Sequence, residues 1–377
     1  MSKIGLFVKE ARKWLKFKEP VVFVVGNESC DLDSAVCAVG LAYFYMNTTK
    51  LPEHLLIDGN RRFLPMMNIN RTNLPLKTEV TYFMQQHSID IDDLVCCNEV
   101  SSELLNVSKF ILVDHHIATG IVPAIDRVIK IFDHRPVDPK NAHILSDYAT
   151  KIQEVGSCAT LIADEIRNVE GSFAAQDDTI NFLRGPIVLD TINFSVSADK
   201  ARPLDIEINK EVEAKLGKND NDRLKLFNDL VKARSDVSSL TALQLLSKDM
   251  KMLSSVDKSK IVAIPGFPIL VEDYLQKENV LESLRQFGDE RNCDILVLMG
   301  MKELTTGGIR RDIAIVTLRE SELTKKVIEK LTIENREYLQ LQDKHNDLLA
   351  VQLFEQQNVK ASRKQISPII QKALNGH

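Results

Sequence analysis

No apolar stretch of this chain approaches the length of a transmembrane helix, so no membrane-spanning segment is expected. Its cysteines, Cys30, Cys37, Cys96, Cys97, Cys158 and Cys293, form no CxxC pair, and no secretory signal precedes them. That excludes a disulfide framework or a thiolate zinc site and predicts reduced thiols in a cytosolic-type compartment. Basic residues are not in excess: 48 Lys and Arg stand against 53 Asp and Glu, a net charge of −5. General nucleic-acid binding is therefore not expected, and an anionic substrate must be held by local cations rather than by an overall basic field. The single tryptophan, Trp14, lies near the N-terminus, which argues against an aromatic-rich pocket for a nucleobase. Internal repeats and low-complexity tracts are absent.

The chain has 377 residues, with 44% hydrophobic and 27% charged content, and suits a soluble protein of two ordinary domains. Four short apolar runs each lead to an acidic residue. Val21 to Val25 runs through Gly26-Asn27 to Asp31 and Asp33; Ile111-Leu112-Val113 ends in Asp114; Val128 to Phe132 ends in Asp133-His134; Pro186 to Leu189 ends in Asp190. Near-continuous apolar runs suit strands of a parallel sheet buried on both faces, whose crevice lies beyond the carboxyl ends of the strands. Carboxylates gathered there repel one another and tolerate the arrangement most easily around a cation. Oxygen ligands with one or two imidazoles suit Mg²⁺ or Mn²⁺ better than zinc. The pattern predicts a metal-dependent hydrolase centre. The plainer alternatives are that Asp31 or Asp33 caps a helix and that a lone strand-end aspartate forms a turn, the reading that fits Asp58.

Along the chain, the first eighteen residues hold an apolar stripe of Ile4, Phe7, Val8, Ala11, Trp14 and Leu15 among Lys3, Lys9, Arg12, Lys13, Lys16 and Lys18. This is a structural helix or, as the alternative, a mitochondrial targeting segment. Ser34 is expected to cap a buried helix through about Met46, and a strand is expected around Leu55 to Asp58. Gly156 to Thr160 opens a further helix, either as a tight turn whose N–H groups face a phosphate or as simple helix–sheet packing. The polar stretch after Asp199 holds the domain boundary, with residues 206–236 as a linker. Beyond it are expected a helix at Leu240–Lys248, strands at Lys260–Ile264, Asp294–Met299 and Asp312–Val316, and helices at Glu320–Leu331 and near Ser367–Leu374.

These motifs occur in order along one known family. Gly26-Asn27-Glu28-Ser29-Cys30-Asp31-Leu32-Asp33-Ser34, Val113-Asp114-His115-His116, Asp133-His134-Arg135-Pro136 and Val188-Leu189-Asp190 resemble the four motifs of DHH-superfamily phosphoesterases. Ser362-Arg363-Lys364 resembles the signature of the companion DHHA2 domain. The pairing marks the branch of family II inorganic pyrophosphatases, exopolyphosphatases and the Prune family, and the chain is most similar to the last. The resemblance implies an α/β protein of two domains, an N-terminal parallel-sheet DHH domain at 1–205 and a smaller α/β DHHA2 domain at 237–377, with the active site in the cleft between them. It implies two Mg²⁺ or Mn²⁺ ions, Asn27 and Asp31 on the first, Asp33, His134 and Asp190 on the second, and Asp114 bridging. Asp133, His134 and Arg135 form the catalytic set, with Asp133 orienting His134. Lys251, Arg363 and Lys364 match phosphate-binding positions. His115 is a neighbour of the metals or a substrate contact, and His116 is structural.

Two departures stand out. Pyrophosphatases of the family carry histidine where Asn27 and Arg135 stand. Arginine does not titrate but can hold a phosphate bidentately, which favours a longer or different phosphate substrate over pyrophosphate. The expected activity is hydrolysis of terminal phosphoanhydride bonds in short inorganic polyphosphate. The alternatives are a cyclic-nucleotide phosphodiesterase and a regulatory protein that binds nucleoside diphosphate kinase. The expected compartment is the cytoplasm, with the mitochondrial matrix as alternative. The chain stops soon after the second lobe, so partner binding through a long disordered tail is not expected.

Overall fold

The computed structural model describes residues 2–17, 19–122, 125–137, 149–304, 307–319 and 321–375. The basic flank at Lys18 and the helix start at Glu320 lie outside the described residues. The chain divides into two units, Met1–Ser235 and Asp236–His377.

In the first unit, β1 (Val22–Val25), β2 (Phe63–Met67), β3 (Val95–Cys96), β4 (Lys109–Val113), β5 (Val128–Asp133) and β6 (Ala149–Ile152) form one sheet in the order β3-β2-β1-β4-β5-β6. Every neighbouring pair is parallel. Alternate residues feed two cores. Val22 and Val24 join Ile111, Val113 and Phe132 on one face, while Val21, Phe23 and Val25 join Phe110, Leu112 and Ile131 on the other. Burial on both faces is why these strands read as unbroken apolar runs rather than alternating ones. The chain moves outward from β1 to β3 and then returns to the opposite side of β1 as β4. Strand order therefore reverses between β1 and β4, the place where such sheets open a crevice.

Three expectations are corrected here. The run Pro186–Leu189 is not a strand; it lies in the helix Asp177–Asp190, with Asp190 as its last residue. That helix is buried on most sides, so its sequence carries no clean period, and a short apolar run alone does not separate strand from helix. It packs on the buried helix Leu32–Asn47, where a Cβ on Gly40 would meet Leu183 Cδ2 at 3.2 Å. The second strand is not at Leu55–Asp58, which forms a short 3₁₀ turn and a reversal with Asp58 at φ 49°. It is β2, which contains Pro65. Val22 N–H donates to the Arg62 carbonyl, so even-numbered β2 residues face β1 and Pro65 faces β3. Because β3 pairs only with Met66 and Met67, the missing proline N–H breaks no ladder bond. Residues 206–236, expected as a linker, are helices Pro203–Leu216 and Asp220–Ser235, whose Ile208, Val212 and Leu230 enter the first unit's core. Their charged outer faces gave them a linker-like composition.

The N-terminal helix Lys3–Arg12 is capped by Ser2 and buries Ile4, Val8 and Ala11, as a structural helix should. Nearby, His87 packs against Phe83 and Phe182 with ring centroids at 4.6 and 5.0 Å, and burial pushes its pKa down to about 4. The unfolded chain then binds the extra proton first as pH falls through about 6.5, so this histidine withdraws stability progressively down to about pH 4, by at most about 3 kcal/mol. The urea midpoint of His87→Leu should accordingly fall less than that of the wild type between pH 7 and 4. Parallel curves would show that His87 binds its proton equally well in the folded and unfolded chain, with no pKa lowered by burial.

In the second unit, β7 (Met250–Ser254), β8 (Ile261–Phe267), β9 (Ile295–Glu303), β10 (Ile309–Thr317), β11 (Leu341–Lys344) and β12 (Val351–Gln356) are ordered β11-β12-β10-β9-β8-β7. β8 and β9 are parallel and the other pairs antiparallel. The three expected strands are β8, β9 and β10, each longer than expected. The helix Arg363–Asn375 covers the sheet with Ile366, Ile370, Ala373 and Leu374. Among the described residues no helix is long and apolar enough to cross a membrane.

Candidate metal centre

Beyond β1 the chain reverses through Asn27 to Asp31, with Cys30 left-handed at φ 46°. Asp31 rather than Ser34 caps the following helix: its Oδ1 accepts the Ser34 N–H at 3.1 Å. Ser34 is thereby free for another task, and its hydroxyl donates to Asp114 Oδ2 at 2.6 Å.

Asp114 is the hub. It follows β4 in a left-handed conformation (φ 60°), which aspartate tolerates better than most residues. Its N–H is tied to the Phe132 carbonyl at 2.8 Å. Asn27 Nδ2 donates to Oδ2 at 2.8 Å, Arg135 Nη1 lies 2.7 Å from Oδ1, and His134 Nε2 lies 3.3 Å from the same oxygen. Asn27 turns its own Oδ1 toward Ser29, accepting the Ser29 N–H at 2.8 Å.

Asp33 is held differently. Its Oδ1 accepts the Ser157 hydroxyl at 2.8 Å and the Ala159 N–H at 2.9 Å, and its Oδ2 accepts the Cys158 N–H at 2.6 Å. These donors are the start of the helix Cys158–Glu170, whose free N–H groups and positive dipole end suit an anion. The glycine-led turn at 156–160 thus turns its N–H groups to an aspartate of the chain itself.

His134 Nδ1–H donates to the Val155 carbonyl, 2.9 Å away, leaving Nε2 toward Asp114. A carbonyl behind the far nitrogen is the usual way to orient a ligating imidazole. Asp133 is fully buried and does not reach that ring; it accepts the backbone N–H of His134 at 2.8 Å and of Arg135 at 3.2 Å. Its ring partner is His116, at 2.5 Å. The expected orienting bond from Asp133 to the His134 ring is therefore not made: Asp133 accepts the His134 backbone N–H, and the Val155 carbonyl takes the ring nitrogen. His115 is buried, with Nδ1 3.0 Å from the Val113 carbonyl and Nε2 lacking a partner among the described residues.

Asp33, Asp114 and His134 each bring a ligand atom within 4.8 Å of the others. Asp31 and Asp190 stand outside that tight group, and the charge of Asp31 acts on Asp33 and Asp190. Burial, then the charges of Asp33 and Asp31, push the Asp190 carboxyl well above the usual range, opposed by Arg234, a cation that no sequence motif singled out. Burial, reinforced by Asp114, pushes Asp33 up to about 7. Burial alone would lower His134, but the hydrogen bond to Asp114 and the charge of Asp33 outweigh it and hold it at about 9. Burial alone would also raise Asp114, yet the His134 bond, the Arg135 charge and the Ser34 bond keep it below the ordinary value. Two buried carboxylates that need cations beside them, with one oriented imidazole, make a donor set that fits a hard divalent ion.

In the second unit Lys251 and Lys364 line one cavity of about 400 Å³ together with Lys372. Arg363 opens the last helix, and its guanidinium is held by Asp249, Nη2 to Oδ1 at 2.6 Å. Other contributors to the first unit's centre escaped sequence reading: Ser157, the N–H groups of Cys158 and Ala159, and the Val155 carbonyl. Backbone donors carry no residue signature, and only the Gly-Ser pair hinted at them.

The DHHA2 domain model matches residues 228–373. Exopolyphosphatase PRUNE1 of Homo sapiens is 31% identical, over 98% of this chain and 79% of that protein. Its Mus musculus counterpart has the same identity and coverage. The "Probable manganese-dependent inorganic pyrophosphatase" of Bacillus licheniformis is 25% identical, over 76% of this chain and 84% of that protein.

Proposed function

Because this chain belongs to the Prune-type exopolyphosphatase family, DHH phosphoesterases that carry a DHHA2 domain, we propose that it hydrolyses terminal phosphoanhydride bonds of short inorganic polyphosphate. It is a metal-dependent hydrolase of acid anhydrides. The observation that carries the reading is the meeting of Asp33, Asp114 and His134 where strand order reverses in a parallel sheet.

Two ions, Mg²⁺ or Mn²⁺, would when bound supply a water of lowered pKa and offset the charge of the phosphoryl group. Asp33, Asp114 and His134 would hold them, with Asp31, Asp190 and Asn27 as further oxygen donors. The rest falls to side chains of this protein. Ser34 and Asn27 fix one oxygen of Asp114 by donating to it. Val155 fixes the His134 tautomer that offers Nε2. Arg135 stays charged at every working pH and has a fork of donors for a phosphoryl group in place of the pair it makes with Asp114. Its side chain is 45% exposed, accessible enough to meet a substrate. Lys251, Arg363 and Lys364 are assigned to the remaining phosphates, and Asp249 sets the Arg363 fork. An arginine in place of a titrating histidine supports a longer phosphate chain as substrate, because it contributes charge and geometry rather than a proton.

The test is phosphate release from tripolyphosphate and pyrophosphate and AMP formation from cyclic AMP, with Mg²⁺ or Mn²⁺, by the wild type and Asp114→Asn. Tripolyphosphate should turn over fastest and only in the wild type. Folded, Mn²⁺-loaded protein that hydrolyses none of them would replace this reading with partner binding.

A further inference from the structure

Asp205 is fully buried and lies at the third position of the helix Pro203–Leu216, outside every motif described above. Its Oδ2 accepts the Arg202 N–H at 2.7 Å, the ordinary service of an acidic residue to its own helix start. Two further bonds go elsewhere. The same oxygen accepts the Gly156 N–H at 2.7 Å, and Oδ1 accepts the Thr160 hydroxyl at 2.5 Å. Between those two anchor points lie Ser157, Cys158 and Ala159, the three residues whose donors hold Asp33. One five-residue turn is thus gripped by two buried carboxylates, Asp205 at its ends and Asp33 at its middle.

The turn has little freedom to drift from this position. A Cβ on Gly156 would lie 2.7 Å from Thr191 Cγ2, 3.1 Å from the Lys200 carbonyl and 3.2 Å from Asp205 Oδ2. Thr191 directly follows Asp190, so the same contact presses the turn against the end of the helix that carries it. A carboxylate is suited to this place because it accepts from three donors and brings no proton of its own. Buried without those donors, it would be strongly disfavoured. A helix start needs only the bond to Arg202, and the bonds to Gly156 and Thr160 serve the other helix.

We infer that Asp205 is a positioning residue of the metal centre, setting Asp33 through the Gly156–Thr160 turn. This rests on the metal-centre reading proposed above. Removing Asp205 lets the turn move, and the three donors that orient Asp33 move with it. Residues that orient metal ligands from behind usually change metal affinity about ten- to a hundredfold.

The experiment compares the full chain with Asp205→Ala, Asp205→Asn and Thr160→Val, with Leu230→Ala as a core variant that lowers stability without touching the turn. Mn²⁺ affinity by titration calorimetry, kcat and KM for tripolyphosphate, and the thermal midpoint are measured for each, well below its unfolding temperature. Asp205→Ala should weaken Mn²⁺ binding at least about tenfold and lower kcat while KM changes less than about twofold. Asp205→Asn keeps an oxygen for Gly156 and Arg202 and can present its amide to Thr160 Oγ, so it should recover most of the affinity. Thr160→Val should fall between. Wild-type Mn²⁺ affinity in Asp205→Ala, or an equal loss in Leu230→Ala at the same midpoint, would overturn the inference and leave Asp205 as a structural brace. Should Asp205→Ala fail to fold, unchanged affinity in Thr160→Val has the same force. A wild type that binds no Mn²⁺ overturns the metal reading itself and this inference with it.

Discussion

Asp114→Asn should abolish measurable turnover and Mn²⁺ binding while leaving the protein folded. The amide is nearly isosteric with the carboxylate, so packing around the end of β4 has no reason to change. The chemistry does. Both oxygens of Asp114 face donors: Ser34 Oγ and Asn27 Nδ2 on one, Arg135 Nη1 and His134 Nε2 on the other. Whichever way the new amide turns, its N–H₂ points at another donor. One of the two pairs is lost, and the negative charge that attracts a cation is lost in either case. Losing a central ligand should remove several kcal/mol of transition-state stabilisation, about a thousandfold or more in kcat. Calorimetric titration with Mn²⁺ and phosphate release from tripolyphosphate measure the two effects separately. Substantial turnover in the variant would place the chemistry somewhere other than the mouth of the β1–β4 crevice.

Gly26→Ala should be the most damaging single methyl group in the first unit's centre. An added Cβ would lie 2.7 Å from Ser34 Cβ, 2.9 Å from the Ser34 carbonyl oxygen and 3.0 Å from its carbon. These are atoms of a helix backbone, not the end of a flexible side chain, so the helix Leu32–Asn47 must move off β1. That helix is buried along most of its length and cannot shift alone. Overpacking of this kind costs about 3 kcal/mol, or on the order of 10 °C in the thermal midpoint for a domain of this size. Activity should fall beyond what stability explains, because Ser34 Oγ also receives the Asn27 N–H at 3.2 Å and donates to Asp114. Gly26→Ala with a wild-type midpoint would mean that strand and helix are less tightly apposed than described.

Much of this architecture was legible in the residues. β1, β4 and β5 announced themselves because strands buried on both faces are apolar at nearly every position, with Lys109 of β4 and Lys130 of β5 the exceptions, and each leads to an acidic residue. The buried helix after β1 was legible for the same reason. The run before Asp190 misled by the same logic: continuous apolarity reports burial, not period, and the helix Asp177–Asp190 is buried on nearly all sides. β2 was hidden by Pro65, whose tolerance depends on how short β3 is, a property of a neighbour and not of the strand itself.

The sequence by itself determined the three side chains that meet, Asp33, Asp114 and His134, each placed after an apolar run. Only the tertiary structure decided how the donors are shared. Asp33 takes backbone N–H groups from residues more than a hundred positions away, Asp133 takes His116 rather than the His134 ring, and Asp205 reaches the turn at Gly156. A hydrogen bond depends on where two groups meet in space, and every backbone N–H reads alike in sequence, so this division of partners has no local pattern to betray it.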